Sequence, residues 1–283
     1  MLFILSKEIL SSGIGGDNMS FVQIIKEGVT YFEIEAFQQF EWLKHGFSTR
    51  IGGKSEGPYD SLNLGRKTKD DYETVIENTK HFCEAVGINP SQVQRSNQVH
   101  GDQIKIVGES CKTGDGTDGF DGMITNQRGV PLMTYYADCV PLFFVDPDHR
   151  VVATTHGGWR GTQMKIAQKT VKKMMTHFGT NPQNVIVAIG PSIGPCCYEV
   201  NKEVIDEFNT NFTQTATFVK PMGEGKYMLD LWRAHIVALK EIGVQDRNII
   251  TSGLCTACRT DLFYSHRKEK GVTGRMAALI QLK

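Results

Sequence analysis

Cys139 and His156 are the pair of residues in this sequence whose types and spacing most directly suggest chemistry. They flank two apolar runs in "ADCVPLFFVDPDHRVVATTHGGWRG", Ala137 to Gly161. Val140 to Val145 reads as a buried strand, and Val151 to Thr155 as a second. Asp146, Pro147, Asp148 and His149 between them carry turn chemistry. An antiparallel hairpin with Val145 opposite Arg150 would set Cys139 opposite His156, with Cβ atoms about 5 Å apart. A sulfur and an imidazole would then meet at the open end of the hairpin, where a metal ion or a reacting atom can sit. Gly157, Gly158 and Gly161 around His156 allow close approach of a ligand. One more nitrogen ligand would complete a three-ligand site with an open position, the arrangement of catalytic zinc. Spacing does not choose among His45, His100, His235 and His266 for that ligand. The same Cys–His pair would also serve a metal-free thiol hydrolase or amidase, with Cys139 as nucleophile and His156 as its base.

Other residues offer binding chemistry. Arg160 stands just before a helix expected to begin at Thr162, whose first N–H groups favour an anion, and arginine grips phosphate bidentately. The nucleotide-binding P-loop pattern is absent. The loop "STRIGGKSEGPYDSLNLG", Ser48 to Gly65, carries Arg50 and Asn63 and reads as a surface loop or, given its length, as a binding loop. Trp159 and Tyr135 are aromatic candidates for ligand contact, although a core role is at least as well suited to both. Asp138, beside Cys139, is a candidate proton carrier or orienting partner. "GDGTDGFDGMIT" spaces Asp115, Asp118 and Asp121 unlike an EF-hand loop and reads as a turn. Cys255-Thr-Ala-Cys258 is a C-x-x-C without a matching second pair, and the adjacent Cys196-Cys197 does not supply one by ordinary zinc spacing, so these read as packed, reduced thiols.

The elements that must position these residues are a mixture of helices and strands. Helical periodicity marks Asp70–Val86, Thr162–Phe178, Glu199–Phe208 and Leu231–Ile242. Strands are expected at Gln103–Val107, Val130–Tyr136, Val140–Val145, Val151–Thr155, Val185–Ile189 and Ala277–Gln281. No repeat or long linker divides the 283 residues, so one α/β to α+β domain with mixed sheets is expected. A formal net charge of +0 without a basic block argues against a nucleic-acid partner. No apolar run is long enough for a membrane span. Seven scattered cysteines fit a reduced, cytoplasmic setting better than a disulfide framework. Residues 1–18 are expected to be an extension outside the fold, with 19–283 as the domain. Gly15-Gly16-Asp17-Asn18-Met19 is what a translated ribosome-binding site and its spacer would give, which makes Met19 a candidate start.

Taken in order, "TRIGGKSEGPYDSLNLG", "NQVHG", "FDGMIT", "YADCVPL", "HGGWRGT", "IGPSIGPCCYEV" and "DLFYSHRKEKGVTGRMAALI" resemble the YfiH/YlmD-type laccase-domain family. The resemblance runs from about His45 to Lys283, and residues 1–18 have no counterpart in it. It implies a four-layer α/β/β/α architecture and a zinc site made of His100, Cys139 and His156. Many members carry Ala where this chain has Gly157. The resemblance further implies a purine nucleoside phosphorylase acting on adenosine, inosine, guanosine and methylthioadenosine with phosphate, with an accompanying adenosine deaminase activity. Older names invoke a copper polyphenol oxidase. Eight dispersed histidines do not suit a multinuclear copper cluster, so copper is set aside. A zinc-containing binding or editing protein without turnover is the other alternative.

Overall fold

The computed structural model describes residues 7–8, 21–108 and 119–283. The expectation for residues 1–18 and Met19 falls outside them, except that Lys7–Glu8 (β1) pair with β2. Asp115 and Asp118 also fall outside. Among the described residues there are three sheets and six α-helices.

The first sheet contains β1, β2 (Phe21–Lys26), β3 (Val29–Ile34), β4 (Leu43–Ser48), β5 (Gln94–Arg95), β8 (Leu132–Tyr136) and β16 (Met276–Leu282). Its spatial order is β1-β2-β3-β4-β16-β8-β5. The second contains β6 (Ile104–Ile106), β7 (Gly122–Thr125), β9 (Val140–Asp146), β10 (Val151–Gly157), β11 (Ile186–Ile189) and β15 (Ile249–Thr251), in the order β15-β11-β9-β10-β7-β6. A small third sheet joins β12 (Glu199–Asn201), β13 (Val219–Gly223) and β14 (Lys226–Leu229). Antiparallel pairs dominate, with parallel pairs at β5–β8, β6–β7 and β11–β15. The helices are α1 (Glu35–Gln38), α2 (Tyr72–Val86), α3 (Trp159–Gln163), α4 (Ile166–Phe178), α5 (Lys202–Asn211) and α6 (Leu231–Glu241).

Strand alternation explains the stacking. On β9, Val140, Leu142 and Phe144 face one apolar cluster with Val171 and Met174 of α4. Phe143 and Val145 face another, with Phe47, Tyr136 and Ile280 of the first sheet. Successive side chains of a strand point to opposite faces, so a strand buried on both sides reads as a continuous apolar run. A third cluster packs Phe82 and Cys83 of α2 on Met133 and Leu279, the other face of the first sheet. Helix α2 is delimited as its sequence suggests: the Asp71 carboxylate accepts from the Thr74 N–H, and Gly87 closes the helix at φ 80°.

Several expectations need correction. The β9–β10 hairpin pairs Val145 with Val152 and His156 with Pro141, a slip of two residues from the expected register. Asp146 joins β9 and its carboxylate accepts from the N–H groups of Asp148 and His149. Arg150, at φ 51°, belongs to the turn rather than to a strand. The helix expected over Thr162–Phe178 is two helices, α3 and α4, separated where Lys165 adopts φ 58°. The break lets Gly161 of α3 lie against the Gly101 carbonyl while α4 packs on the second sheet. Glu199–Asn201 form β12, and only from Lys202 does the chain turn helical. Strands β2 and β3 went unpredicted; they form a hairpin about Glu27 and Gly28, both at positive φ, the conformation a two-residue turn of this kind requires.

Candidate metal and substrate site

Cys139 lies just before β9, His156 near the end of β10, and His100 in the loop before β6. The two-residue slip preserves parity, so Cys139 and His156 remain on one face as diagonal neighbours. The three donor atoms, one each from His100, Cys139 and His156, lie within 4.8 Å of one another. The His100 and His156 rings meet edge-on at 4.7 Å. Both imidazoles hydrogen-bond the Cys139 sulfur.

The residue that arranges this cluster is Asp121, just before β7. His156 Nδ1 donates to Asp121 Oδ1 at 2.8 Å, which leaves Nε2 for a ligand. The same carboxylate accepts from the backbone N–H groups of Val99, His100 and Gly101 at 3.2, 3.0 and 2.7 Å. It therefore fixes one histidine by its ring and the other by its backbone, which holds His100 at φ 59°. Burial works against an ionised Asp121, but these donors outweigh it and hold its pKa below the usual value. The sequence reading treated Asp121 as a turn residue; its place in "FDGMIT", a motif of the family resemblance, was the available signal.

Burial would raise the Cys139 thiol, but the His156 imidazolium and the two imidazole hydrogen bonds reverse this and bring it down to about 6. Burial would likewise depress His156; Cys139 and Asp121 instead raise it to about 9. Without metal the pair is thus a thiolate beside an imidazolium. Alkylation of Cys139 in metal-stripped protein should proceed at neutral pH and fall away below about pH 6 as the thiolate takes up a proton. His156→Ala should move that midpoint upward, measured by iodoacetamide mass labelling against pH; an unmoved midpoint would assign the shift to another group.

The other histidine candidates are placed elsewhere. His45 is buried, its Nε2 accepting from the Ile34 N–H at 2.7 Å. His235 is fully buried with Nε2 3.0 Å from Thr162 Oγ1, and desolvation lowers its pKa to about 3. His266 lines the cavity described next but is not part of the cluster.

The cluster opens into a cavity of about 960 Å³. Arg66, Lys67, Arg160, Arg267 and Arg275 line it, while Asp138 is the only carboxylate lining it among the described residues. None of these five cations forms an ion pair with a carboxylate among the described residues. Arg160 is held over the Trp159 ring at 4.3 Å. It lies in the first turn of α3, not ahead of a helix starting at Thr162. Tyr135, Trp159 and Tyr198 also line the cavity.

Arg50 and Asn63 do not line it. Arg50 pairs with Glu269 at 2.9 Å, donates to the carbonyls of Asp60 and Thr260, and stacks on Tyr264. Asn63 is buried; its Oδ1 accepts from the N–H groups of Gly65 and Arg275, both at 2.9 Å. Both residues shape the loop that delivers Arg66 and Lys67. Asp138 sits at φ 82°, with its oxygens accepting from Thr256 Oγ1 at 2.7 Å and the Arg267 N–H at 2.6 Å.

The donor set suits a metal: two imidazoles and a sulfur converge, one imidazole has its tautomer set by a carboxylate, and Gly158 leaves the space beside all three free of a Cβ. Among the described residues no helix is long and apolar enough to cross a membrane. Two facing sheets thus carry a His–Cys–His cluster that could hold a metal, at the mouth of a cavity lined by cations. Residues 44–283 match the family described as multi-copper polyphenol oxidoreductase laccase, and the chain belongs to this YfiH/YlmD laccase-domain family. It is 38% identical over 242 residues to "Purine nucleoside phosphorylase YlmD" of Geobacillus stearothermophilus, covering 83% of this chain and 88% of that protein. The Bacillus subtilis protein of the same name is 34% identical over 245 residues, covering 84% and 88%. The crystal structure of the Bacillus licheniformis hypothetical protein YfiH superposes with a TM-score of 0.85 at 34% identity, covering 91% of this chain and 97% of that one.

Proposed function

We propose that this chain is a zinc-dependent purine nucleoside phosphorylase of the cytoplasm, acting on adenosine, inosine, guanosine or methylthioadenosine, with an accompanying adenosine deaminase activity. The observation that carries the reading is the meeting, in one cavity, of a His–Cys–His cluster with Arg66, Lys67, Arg160, Arg267 and Arg275, which form no carboxylate ion pair among the described residues. The names of the relatives point the same way. The three apolar clusters support the four-layer α/β/β/α arrangement in one domain.

In phosphorolysis a phosphate oxygen bonds to the ribose anomeric carbon as the bond to the purine nitrogen breaks. The electron pair leaves with the purine, which takes up a proton. Arg160 is oriented by the Trp159 ring rather than by an acid, so its charge remains available to phosphate. Arg66, Lys67, Arg267 and Arg275 surround the same space and would hold the anion against the sugar. Tyr135, Trp159 and Tyr198 offer aromatic faces to the base. His100, Cys139 and His156 would hold zinc, which when bound supplies Lewis-acid polarisation at its open position. Asp121 keeps His156 in the tautomer such a role needs. Asp138, with both oxygens engaged, serves as a positioning residue that ties Thr256 and Arg267 to the cluster.

A metal-free thiol hydrolase remains the second reading, because Cys139, His156 and Asp121 form a nucleophile–base–carboxylate series. The second imidazole on the sulfur, His100, is unexplained by it. Copper oxidase chemistry fits poorly: among the described residues the two ligand clusters are the His–Cys–His set and a group of four cysteines.

Incubation of the purified protein with inosine, with and without phosphate, tests the proposal. Hypoxanthine release that requires phosphate and disappears on chelation is expected. Phosphate-independent hydrolysis, or activity blocked by iodoacetamide and indifferent to chelation, would favour the thiol reading.

A further inference from the structure

Cys196 and Cys197, in the loop between β11 and β12, meet Cys255 and Cys258, in the loop after β15. The four sulfurs lie within 4.8 Å of one another. Cys196 Sγ and Cys197 Sγ lie 3.6 and 3.4 Å from Cys258 Sγ. This corrects the expectation that the C-x-x-C lacks a partner pair: the missing half is the adjacent Cys-Cys, brought in by tertiary structure.

We propose that these four cysteines bind a single zinc ion, forming a second metal site separate from the His–Cys–His cluster. Zinc bonds thiolate sulfur at ~2.3 Å, so a tetrahedral ZnS₄ centre holds its sulfurs roughly 3.8 Å apart. The observed spacings of 3.6 and 3.4 Å approach that value. An iron–sulfur cluster would need its cysteines spread around several irons and bridging sulfides, a wider arrangement than this one. Burial does not explain the convergence either. Cysteines that pack as small apolar residues are buried, whereas Cys196 and Cys258 are exposed and Cys197 only half-buried. The one buried sulfur, Cys255, accepts the Gly194 N–H at 3.2 Å, a bond that orients it toward the other three. All four ligands are sulfur and no position is left for a reactant, so the site is structural. Each cysteine that enters as a thiol releases its proton to solvent on binding.

The ion would brace a wall of the larger cavity. Ser192 pairs with Cys255, the Thr256 N–H donates to the Ser192 carbonyl, and the Ile193 N–H donates to the Asp138 carbonyl. Ile193 and Tyr198, on either side of the Cys-Cys pair, line the cavity. The inference does not depend on the phosphorylase reading, and its test is run without turnover.

In a Cys139→Ala background, which disables the first cluster, protein purified under reducing conditions should retain about one zinc per chain by elemental analysis. Adding Cys258→Ser should remove it. Cys258→His supplies a replacement ligand: it should keep the metal and, after exchange for cobalt(II), lose about one quarter of the near-ultraviolet thiolate charge transfer, one thiolate of four. Zinc absent from the Cys139→Ala protein, zinc unaffected by Cys258→Ser, iron in its place, or an intact mass showing two of these cysteines joined as a disulfide would each overturn the proposal.

Discussion

Cys139→Ala should strip the metal from the His100–His156 pair and reduce phosphorolysis at least ~100-fold. Loss of a residue that merely orients a metal ligand costs 10–100-fold, and loss of the ligand itself costs more. Elemental analysis and hypoxanthine release on the same preparation check it; a variant lacking this metal but fully active would remove the metal from the mechanism. Asp121→Asn separates positioning from ligation. It retains all three ligands but puts an amide where the His156 ring and three backbone N–H groups need acceptors. Metal affinity should fall about 10–100-fold, with activity recovering as zinc is added. Such recovery is not expected of a variant whose nucleophile is intact and whose chemistry needs no metal.

The adjacent glycines 157 and 158 should give two different failures. A Cβ on Gly158 would stand 2.8 Å from His100 Nδ1, 3.4 Å from His156 Cε1 and 3.5 Å from Cys139 Sγ. Gly158 has φ −67°, which any residue adopts, so the objection to a side chain there is contact with the ligands. Gly158→Ala should therefore fold, with a melting temperature near that of the parent, yet bind metal at least ~10-fold more weakly by displacing His100. A Cβ on Gly157 would meet His235 Nε2 at 2.5 Å, His235 Cε1 at 3.0 Å and the Val140 carbonyl oxygen at 3.2 Å, so its nearest neighbour is the His235 imidazole. Gly157→Ala should lower stability by about 1–3 kcal/mol, the usual cost of overpacking a closed core. Pairing it with His235→Ala should return much of that loss, since the imidazole is what occupies the space. Equal effects of the two single substitutions on metal content would contradict this division.

The sequence carried the parts of the site that depend on parity and local pattern. Val140–Val145 is apolar throughout because both its faces are buried, so its strand was plain to read. The hairpin register came out two residues off because Asp146 extends the strand while capping the turn, a detail of side-chain hydrogen bonding that periodicity does not encode. Because the slip is even, Cys139 and His156 still share a face. Their third partner could be chosen only by resemblance, since His100 is delivered by a separate loop. Asp121 was hidden for the same reason, 35 residues from the ring it orients. Arg50 and Asn63 illustrate the converse: a glycine-rich polar loop looks like a binding loop, yet these two side chains hold the loop together and Arg66 and Lys67 face the cavity. Spacing along the chain does not reveal the Cys-Cys pair as a partner of the C-x-x-C, because sulfurs separated by 61 and 62 residues are brought together by tertiary structure.

Strand β16 lies between β4 and β8, inside the first sheet. During synthesis this sheet must wait as two unjoined halves, one led by β2–β4 and one by β8, until residues 276–282 emerge from the ribosome. Met276, Ala278 and Ile280 also fill the space between the two sheets, so the second sheet lacks its packing partner over the same interval. A nascent chain in this state exposes two open strand edges and an apolar face, the features that draw chaperones or invite aggregation. Closure of the first sheet is thereby gated by the delivery of residues 276–282.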